Sequence, residues 1–119
     1  MGREVIVRRR FEFEAAHKLP HHPGKCRELH GHSYKLYVSV QRDVDPQSGM
    51  AIDFGELKSI VREAVVDRMD HRYINDFIEN PTAEVMAVWI WRELTPLLSG
   101  LTEIELHETS NCSVIYRGE

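Results

Sequence analysis

The segment from Cys26 to His32 concentrates side chains that can bind a metal ion or transfer a proton. It holds one thiol and, after three intervening residues, the imidazoles of His30 and His32. The residues that follow alternate between apolar and polar, as in a β-strand of residues 30–41, and side chains two apart on a strand project from one face. If the strand begins at His30, the two imidazoles lie side by side and form half of a metal site.

His17 is the candidate for a third metal ligand. It follows an alternating run of residues 4–14, which predicts a half-buried strand with Phe11 and Phe13 facing inward. If the pleat continues to position 17, His17 lies on that same inward face. A lone histidine near a strand end is usually a satisfied polar residue, but His17, His30 and His32 together favour a zinc site with an open fourth position. By contrast, His21 and His22 lie in a proline-flanked loop and are predicted to be surface residues.

Cys26 has three interpretations, and the residues alone leave them open. As a fourth ligand it would close the site and make the zinc structural. As a free thiolate beside a cation it would act as a base or nucleophile, because the positive charge lowers its pKa. As a small buried hydrophobe it would only fill space, and this is the role predicted for Cys112.

The remaining elements complete an α+β pattern. Asp53 and Glu56 predict a capping box for a helix that ends near Arg68, and Asn80 as cap with Pro81 at the first position predicts a second helix. Two further strands are predicted near residues 102–108 and 113–117, the first with an inward row ending in Glu108. The order strand–strand–helix–helix–strand–strand predicts one domain, residues 1–119, with a four-stranded antiparallel sheet and both helices on one face.

Composition narrows the functional classes. The 119 residues suffice for one domain, and the net charge of −4 argues against a nucleic-acid binder. No apolar run approaches the ~18 residues of a membrane span, and the N-terminus shows no signal-peptide core. Two cysteines do not make a disulfide framework, so free thiols in a reducing cytoplasm are expected. Exposed sheet edges would favour association of copies.

Several ordered motifs resemble one enzyme family, the 6-pyruvoyltetrahydropterin synthase superfamily, over nearly the whole chain. Many motifs in a fixed order are far more specific than any one of them. The matching segments are Phe13-Glu14-Ala15-Ala16-His17, Cys26-x-x-x-His30-Gly31-His32, Ile52-Asp53-Phe54-x-x-Leu57-Lys58, Asp70-His71-x-x-Ile74-Asn75, Asn80-Pro81-Thr82-Ala83-Glu84, Glu108-Thr109 and Ile115-Tyr116-Arg117-Gly118-Glu119.

The resemblance implies a tunnelling fold, in which subunits join their sheets into a barrel and trimers pair as hexamers, with the active site between subunits. It implies zinc on the three histidines, Cys26 as catalytic base and Asp70 with His71 as a proton-relay pair. From the residues alone, Asp70 and His71 indicate a capped helix end with a surface imidazole. The resemblance also implies that Glu108 anchors a pterin ring. Thr82 either contacts the pterin edge or only caps its helix.

The three-residue spacing between Cys26 and His30 resembles the branch of the family that makes 6-carboxy-5,6,7,8-tetrahydropterin. The implied substrate is 7,8-dihydroneopterin triphosphate, and the implied products are 6-carboxytetrahydropterin, acetaldehyde and triphosphate, in queuosine biosynthesis. A pyruvoyl-type synthase that eliminates only triphosphate is the nearest alternative. A non-catalytic, zinc-stabilised assembly module is another. The triphosphate requires cations, and the sequence does not choose among Lys25, Arg27 and Arg117.

Overall fold

One open antiparallel sheet carries the candidate site. The structure, a computed structural model, describes residues 2–118. Its long strands are β1 (Glu4–His17), β2 (His30–Asp43), β4 (Leu101–Thr109) and β5 (Cys112–Tyr116), and a two-residue strand β3 (Arg72–Tyr73) pairs parallel to β1. The sheet order is β3-β1-β2-β4-β5. The four predicted antiparallel strands are confirmed, whereas β3 is too short to leave a periodic signal in the sequence.

The register of β1 on β2 explains why the histidines meet. The pairing runs without a shift from Glu4 opposite Asp43 to His17 opposite His30. Both strands are longer than predicted, and β1 reaches position 17, so the condition set for His17 is met. Because alternate residues share a face, His17 lies on the buried side with Phe11 and Phe13.

The first helical segment runs from residue 54 to residue 69. It consists of α1 (Phe54–Val61), a π-helical turn (Arg62–Val66) and a short α2 (Asp67–Met69). The Asp53 carboxylate accepts a hydrogen bond from the Glu56 backbone N–H at 3.0 Å, as a capping residue does. The predicted start and extent are confirmed, while the π-helical turn was not predicted.

The second helix, α3 (Ala83–Leu94), begins later than predicted. Its cap is Thr82, whose hydroxyl accepts from the Val85 N–H at 3.1 Å, and not Asn80. The first helical hydrogen bond joins the Met86 N–H to the Thr82 carbonyl. The Pro81 carbonyl is therefore outside the helix and instead contacts His17, which is why Pro81 is not the first helical residue.

A single apolar core lies between the sheet and the helices. It unites the inward residues of β1, β2 and β4 with buried residues of all three helices, including Phe13, Leu36, Leu57, Met86 and Ile104. The expectation for Cys112 is wrong. The turn after β4 is Ser110 and Asn111, and Cys112 begins edge strand β5 with its side chain exposed. Within residues 2–118, no helix is long and apolar enough to cross a membrane.

Candidate metal centre and active site

Three imidazoles converge where β1 ends and β2 begins. One ring nitrogen from each of His17, His30 and His32 lies within 4.8 Å of the other two. His17 and His30 are direct cross-strand partners, and His32 stands on the same face of β2, opposite Ala15. His17 is fully buried and the other two are half-buried. Strand register thus brings the predicted trio to one end of the sheet.

Backbone carbonyls orient two of the rings. The Nδ1–H of His17 donates to the Pro81 carbonyl at 2.8 Å, and that of His30 donates to the Glu28 carbonyl at 2.7 Å. A neutral imidazole carries one proton, so both Nε2 atoms present lone pairs, and they lie 3.0 Å apart. The Nε2 of His32 is buried without a hydrogen-bond partner among the described residues. A histidine that binds a metal through one ring nitrogen typically donates its other ring N–H to a carbonyl, as His17 and His30 do here.

These features fit a zinc ion. Two facing lone pairs repel each other, and a buried unpartnered nitrogen is costly, so a cation among the three Nε2 atoms relieves both. Burial lowers the pKa of His17 and His32 below their ordinary 6.5. Their rings therefore stay neutral, as metal binding requires. His17, His30 and His32 are the residues that would hold the ion.

Glu108 faces the imidazoles from the end of β4. Its carboxylate oxygens lie 3.7 Å from the His17 Nε2 and 3.9 Å from the His32 Nε2, and its side chain is 25 % exposed. The inward orientation predicted for Glu108 is therefore observed. Below the rings, the buried Tyr34 hydroxyl is 3.3 Å from the His17 Nδ1, and burial together with the nearby Glu108 charge raises its pKa. The hydroxyl therefore remains protonated.

Cys26 lies on a short 3₁₀ turn, Lys25–Arg27, in the connection between β1 and β2. The turn is tied to the end of β1, because the Cys26 carbonyl accepts from the Leu19 N–H at 2.8 Å. Its thiol is half-buried, and among the described residues the cluster of converging ligand atoms contains only the three histidines. The arrangement offers a three-imidazole site with a thiol nearby in the chain.

Asp70 and His71 form a contact pair at the end of α2. The Asp70 carboxylate is 3.1 Å from the His71 Nδ1 and accepts from the Glu14 N–H at 2.9 Å. The His71 N–H donates to the Glu14 carbonyl, and its φ of 58° is the one positive value outside glycine among the described residues. The Glu14 hydrogen bond, with the His71 contact, lowers the pKa of Asp70. The His71 side chain is 78 % exposed, so its Nδ1 contacts Asp70 while the rest of the ring faces outward.

Two clefts lie near the metal site: His32 lines one, and Glu108, whose carboxylate is 3.7 Å from the His17 Nε2, lines the other. The first, here the His71 cleft, has a volume of about 490 Å³ and is lined by His32, His71, Arg72 and Tyr73 over a floor of small β1 and β2 residues. The second, here the Glu108 cleft, measures about 370 Å³. It lies between the start of α3, the β4–β5 hairpin and the loop after β1, and its lining includes His22, Thr82, Glu84, Glu108 and Cys112. Within one chain, His71 and Glu108 line different clefts.

Comparison with known proteins settles the family. The family model described as 6-pyruvoyl tetrahydropterin synthase matches residues 6–119. The chain belongs to this family. A curated relative from Synechocystis, named 6-carboxy-5,6,7,8-tetrahydropterin synthase, is 42% identical over 118 residues, covering 93% of this chain and 92% of that protein. The 6-pyruvoyl tetrahydrobiopterin synthase of Dictyostelium discoideum is 36% identical and covers 100% of both chains.

A solved structure of the family shares the fold. The 6-pyruvoyl tetrahydropterin synthase of Caenorhabditis elegans superposes with a TM-score of 0.90 at 28% sequence identity, covering 99% of this chain and 98% of that one. The resemblance inferred from the sequence is thereby confirmed for the family and the fold. The two curated relatives carry different product names, so family membership alone does not choose between them.

Three contributors to this family site were missed in the sequence. The Pro81 carbonyl holds His17, and the Asn75 side chain forms both backbone hydrogen bonds of Lys18, at 2.9 Å each. His22, predicted as a surface residue, is exposed but also lines the Glu108 cleft. Asn75 belongs to a motif quoted for the family, which was the available signal. A backbone carbonyl leaves none, since every residue has one.

Proposed function

We propose that this chain is a zinc-dependent carbon–oxygen lyase that acts on 7,8-dihydroneopterin triphosphate. The products are 6-carboxy-5,6,7,8-tetrahydropterin, acetaldehyde and triphosphate, formed in queuosine biosynthesis. One water molecule is consumed, because the carbon left on the ring gains an oxygen when the two-carbon fragment departs as acetaldehyde. The enzyme would be cytoplasmic.

The observation that carries this proposal is the converging trio His17, His30 and His32, two of whose rings are oriented by backbone carbonyls, with the Glu108 carboxylate beside it. Three neutral imidazoles leave a zinc ion an open position, which a structural site lacks. A zinc ion held there supplies positive charge next to the substrate's side-chain hydroxyls and favours negative charge on their oxygens. The 42% identity to the Synechocystis relative supports the carboxy-type product.

Glu108 is assigned to the pterin ring. A pterin presents a ring N–H and an exocyclic amine side by side, and one carboxylate can accept both hydrogen bonds in a strong, directional contact. The Glu108 cleft offers this carboxylate together with Thr82. The Thr82 hydroxyl accepts from Val85 as helix cap, and its own proton stays available for the pterin edge.

Proton transfer is assigned to Cys26 and to the Asp70–His71 pair. Cys26 would remove a carbon-bound proton, and His71, oriented by Asp70, would donate or accept another. Because His71 and Glu108 line different clefts within one chain, we propose that a homohexamer brings them together from neighbouring subunits. The open edges of the sheet, at β3 and β5, are where further strands can add.

A second candidate is a 6-pyruvoyl-type synthase, supported by the full-length match to the Dictyostelium relative. Incubation of the zinc-loaded protein with 7,8-dihydroneopterin triphosphate, read by mass spectrometry, separates the two. Acetaldehyde in equal amount to released triphosphate supports the carboxy-type lyase. Triphosphate without acetaldehyde supports the pyruvoyl type, and release of neither contradicts both.

A further inference from the structure

We propose that His22 determines specificity for the pterin ring, by donating a hydrogen bond from its Nε2 to the ring carbonyl that lies beside the N–H group bound by Glu108. This inference rests on the proposed function, since it takes the occupant of the Glu108 cleft to be a pterin. It concerns a residue that the sequence predicted to be an ordinary surface histidine. All the groups involved come from one chain, whichever neighbouring subunit supplies His71.

The loop after β1 holds the His22 ring in place. The two ends of the loop are joined by a hydrogen bond from the Leu19 N–H to the Cys26 carbonyl at 2.8 Å, and the His22 N–H donates to the Leu19 carbonyl at 3.0 Å. The Gly24 N–H donates to the His22 Nδ1 at 2.9 Å. A Cβ at position 24 would lie 3.2 Å from the imidazole Cε1, so glycine allows this close approach. The loop therefore fixes the ring at the Glu108 cleft, which His22 lines.

The hydrogen bond from Gly24 decides which ring nitrogen of His22 can donate. A neutral imidazole carries one proton, and a ring nitrogen that accepts a hydrogen bond does not hold that proton. Since the His22 Nδ1 accepts, the proton lies on Nε2, on the other side of the ring. This Nε2–H has no hydrogen-bond or ion-pair partner within residues 2–118, and the side chain is exposed. His22 therefore offers one unused donor, of fixed tautomer, at the Glu108 cleft.

The charges of the Glu108 cleft favour a neutral ring over a phosphate chain. Glu84 and Glu108 both line the cleft, and no lysine or arginine of residues 2–118 does. Two carboxylates repel a polyphosphate, but they accept hydrogen bonds from the N–H and amine groups of a heterocycle. Within the lining, His22 is the one side chain with a nitrogen donor. The cleft thus fits a heterocycle that presents several donors and few acceptors.

The polar edge of a pterin has this pattern. The exocyclic amine, the ring N–H and the carbonyl at position 4 follow one another along that edge, and the Glu108 carboxylate accepts from the first two. The carbonyl then needs a donor, because an oxygen left unpaired in the cleft is costly. Its two lone pairs can accept from the Thr82 hydroxyl and from the His22 Nε2–H, and both residues line the cleft. His22 therefore distinguishes a carbonyl from an amine at this position, since an N–H repels a second donor.

The test measures binding of two ligands to the zinc-loaded full-length protein by calorimetry. They are 7,8-dihydroneopterin and its 4-amino analogue, in which an amine replaces the ring carbonyl. In His22→Ala, the affinity for 7,8-dihydroneopterin should fall by about threefold to tenfold, the contribution of one neutral hydrogen bond, while the affinity for the analogue stays the same. The preference for the carbonyl form should decrease by that factor. His22→Gln, whose amide can also donate, should lie between His22→Ala and the wild type.

His21→Ala is the matched control, because His21 is the adjacent exposed histidine and does not line the cleft. It should keep the wild-type preference. Zinc content should be unchanged in these variants, since neither His21 nor His22 belongs to the converging trio.

Wild-type affinity of His22→Ala for 7,8-dihydroneopterin would overturn the inference. An equal loss of affinity for both ligands would also overturn it, because His22 would then only shape the loop. A loss confined to inorganic triphosphate would overturn it as well and would assign His22 to the phosphate chain. If the preference for the carbonyl form depends on His22 but the wild type does not turn over 7,8-dihydroneopterin triphosphate, the proposed function fails and the assignment of His22 stands.

Discussion

The Nε2 atoms of His17 and His30 face each other at 3.0 Å, and neither carries a proton when both Nδ1–H groups donate to carbonyls. Two lone pairs at this distance repel unless a cation lies near both. The site is therefore arranged for an ion rather than for a hydrogen bond. Strand register sets the distance, because the two residues are direct partners across β1 and β2.

Zinc should accordingly stabilise the native state. Removal of zinc by a chelator should lower the melting temperature by several degrees. Adding zinc back to a free concentration of about 100 times its Kd should raise the free energy of unfolding by about 2.7 kcal/mol. His30→Ala should abolish this zinc-dependent increase in melting temperature, since only two imidazoles of the site remain. His21→Ala, which changes an exposed loop histidine outside the trio, is the control and should keep it. An identical zinc-dependent melting shift in His30→Ala would contradict the assignment of the ligands.

Asn75 should support zinc binding without touching the ion. Its amide accepts from the Lys18 N–H and donates to the Lys18 carbonyl, and this fixes the chain directly after His17. Asn75→Ala should lower the free energy of unfolding by about 1–3 kcal/mol and weaken zinc affinity. The visible spectrum of the cobalt-substituted protein should also change, because the position of His17 changes.

Asn111→Ala in the β4–β5 turn is the matched control for Asn75. Only its backbone N–H takes part in a described hydrogen bond, to the Thr109 hydroxyl. Stability and the cobalt spectrum should both stay at wild-type values in this variant. If Asn75→Ala loses stability but keeps the wild-type cobalt spectrum and zinc affinity, Asn75 only supports the fold.

Cys26→Ala should separate catalysis from metal binding. If Cys26 is the catalytic base, the variant keeps its zinc and its melting temperature but loses turnover by a factor of about 10²–10⁴, the usual contribution of a positioned base. Zinc content by elemental analysis and product formation are the measurements. Loss of zinc and of folding would instead support a structural site with a fourth sulfur ligand. Full turnover would show that another group takes the proton.

Glu108→Gln should impair substrate binding. An amide offers only one acceptor atom to two adjacent donors and removes the charge, so KM should rise by about tenfold to a hundredfold. Because Glu108 lies within 4 Å of two imidazoles, zinc content must be measured alongside. Glu63→Gln, an exposed carboxylate on the π-helical turn, is the control. Equal KM values for wild type and Glu108→Gln would contradict the role of pterin anchor.

Asp70 should make stability depend on acid. Its pKa is lowered in the folded state from the ordinary 3.8, chiefly by the Glu14 N–H. A group with a lowered folded pKa contributes stability above its unfolded pKa and loses it as the pH falls through the folded pKa. As the pH falls below about 4, the free energy of unfolding should therefore decrease less in Asp70→Asn than in the wild type, as measured by denaturant unfolding. The difference should be small, because the side chain is 39 % exposed.

The sequence by itself determined the four long strands, the first helix and the parity of the chemically active residues. Alternation placed the three histidines and Glu108 on the inward face of their strands, because a pleated strand has a period of two residues. Ordered motifs identified the family. These properties are local, or repeat over short distances, and therefore can be deduced from residue order.

Only the tertiary structure decided how distant residues meet. The Pro81 carbonyl holds His17, and α3 begins at Ala83 with Thr82 as its cap instead of at Pro81. Packing also exposes Cys112 on an edge strand, adds β3 and separates His71 from Glu108 into two clefts. Each of these depends on contacts between residues far apart in the chain. Such contacts follow from the packing of the whole fold and leave no periodic trace in the sequence.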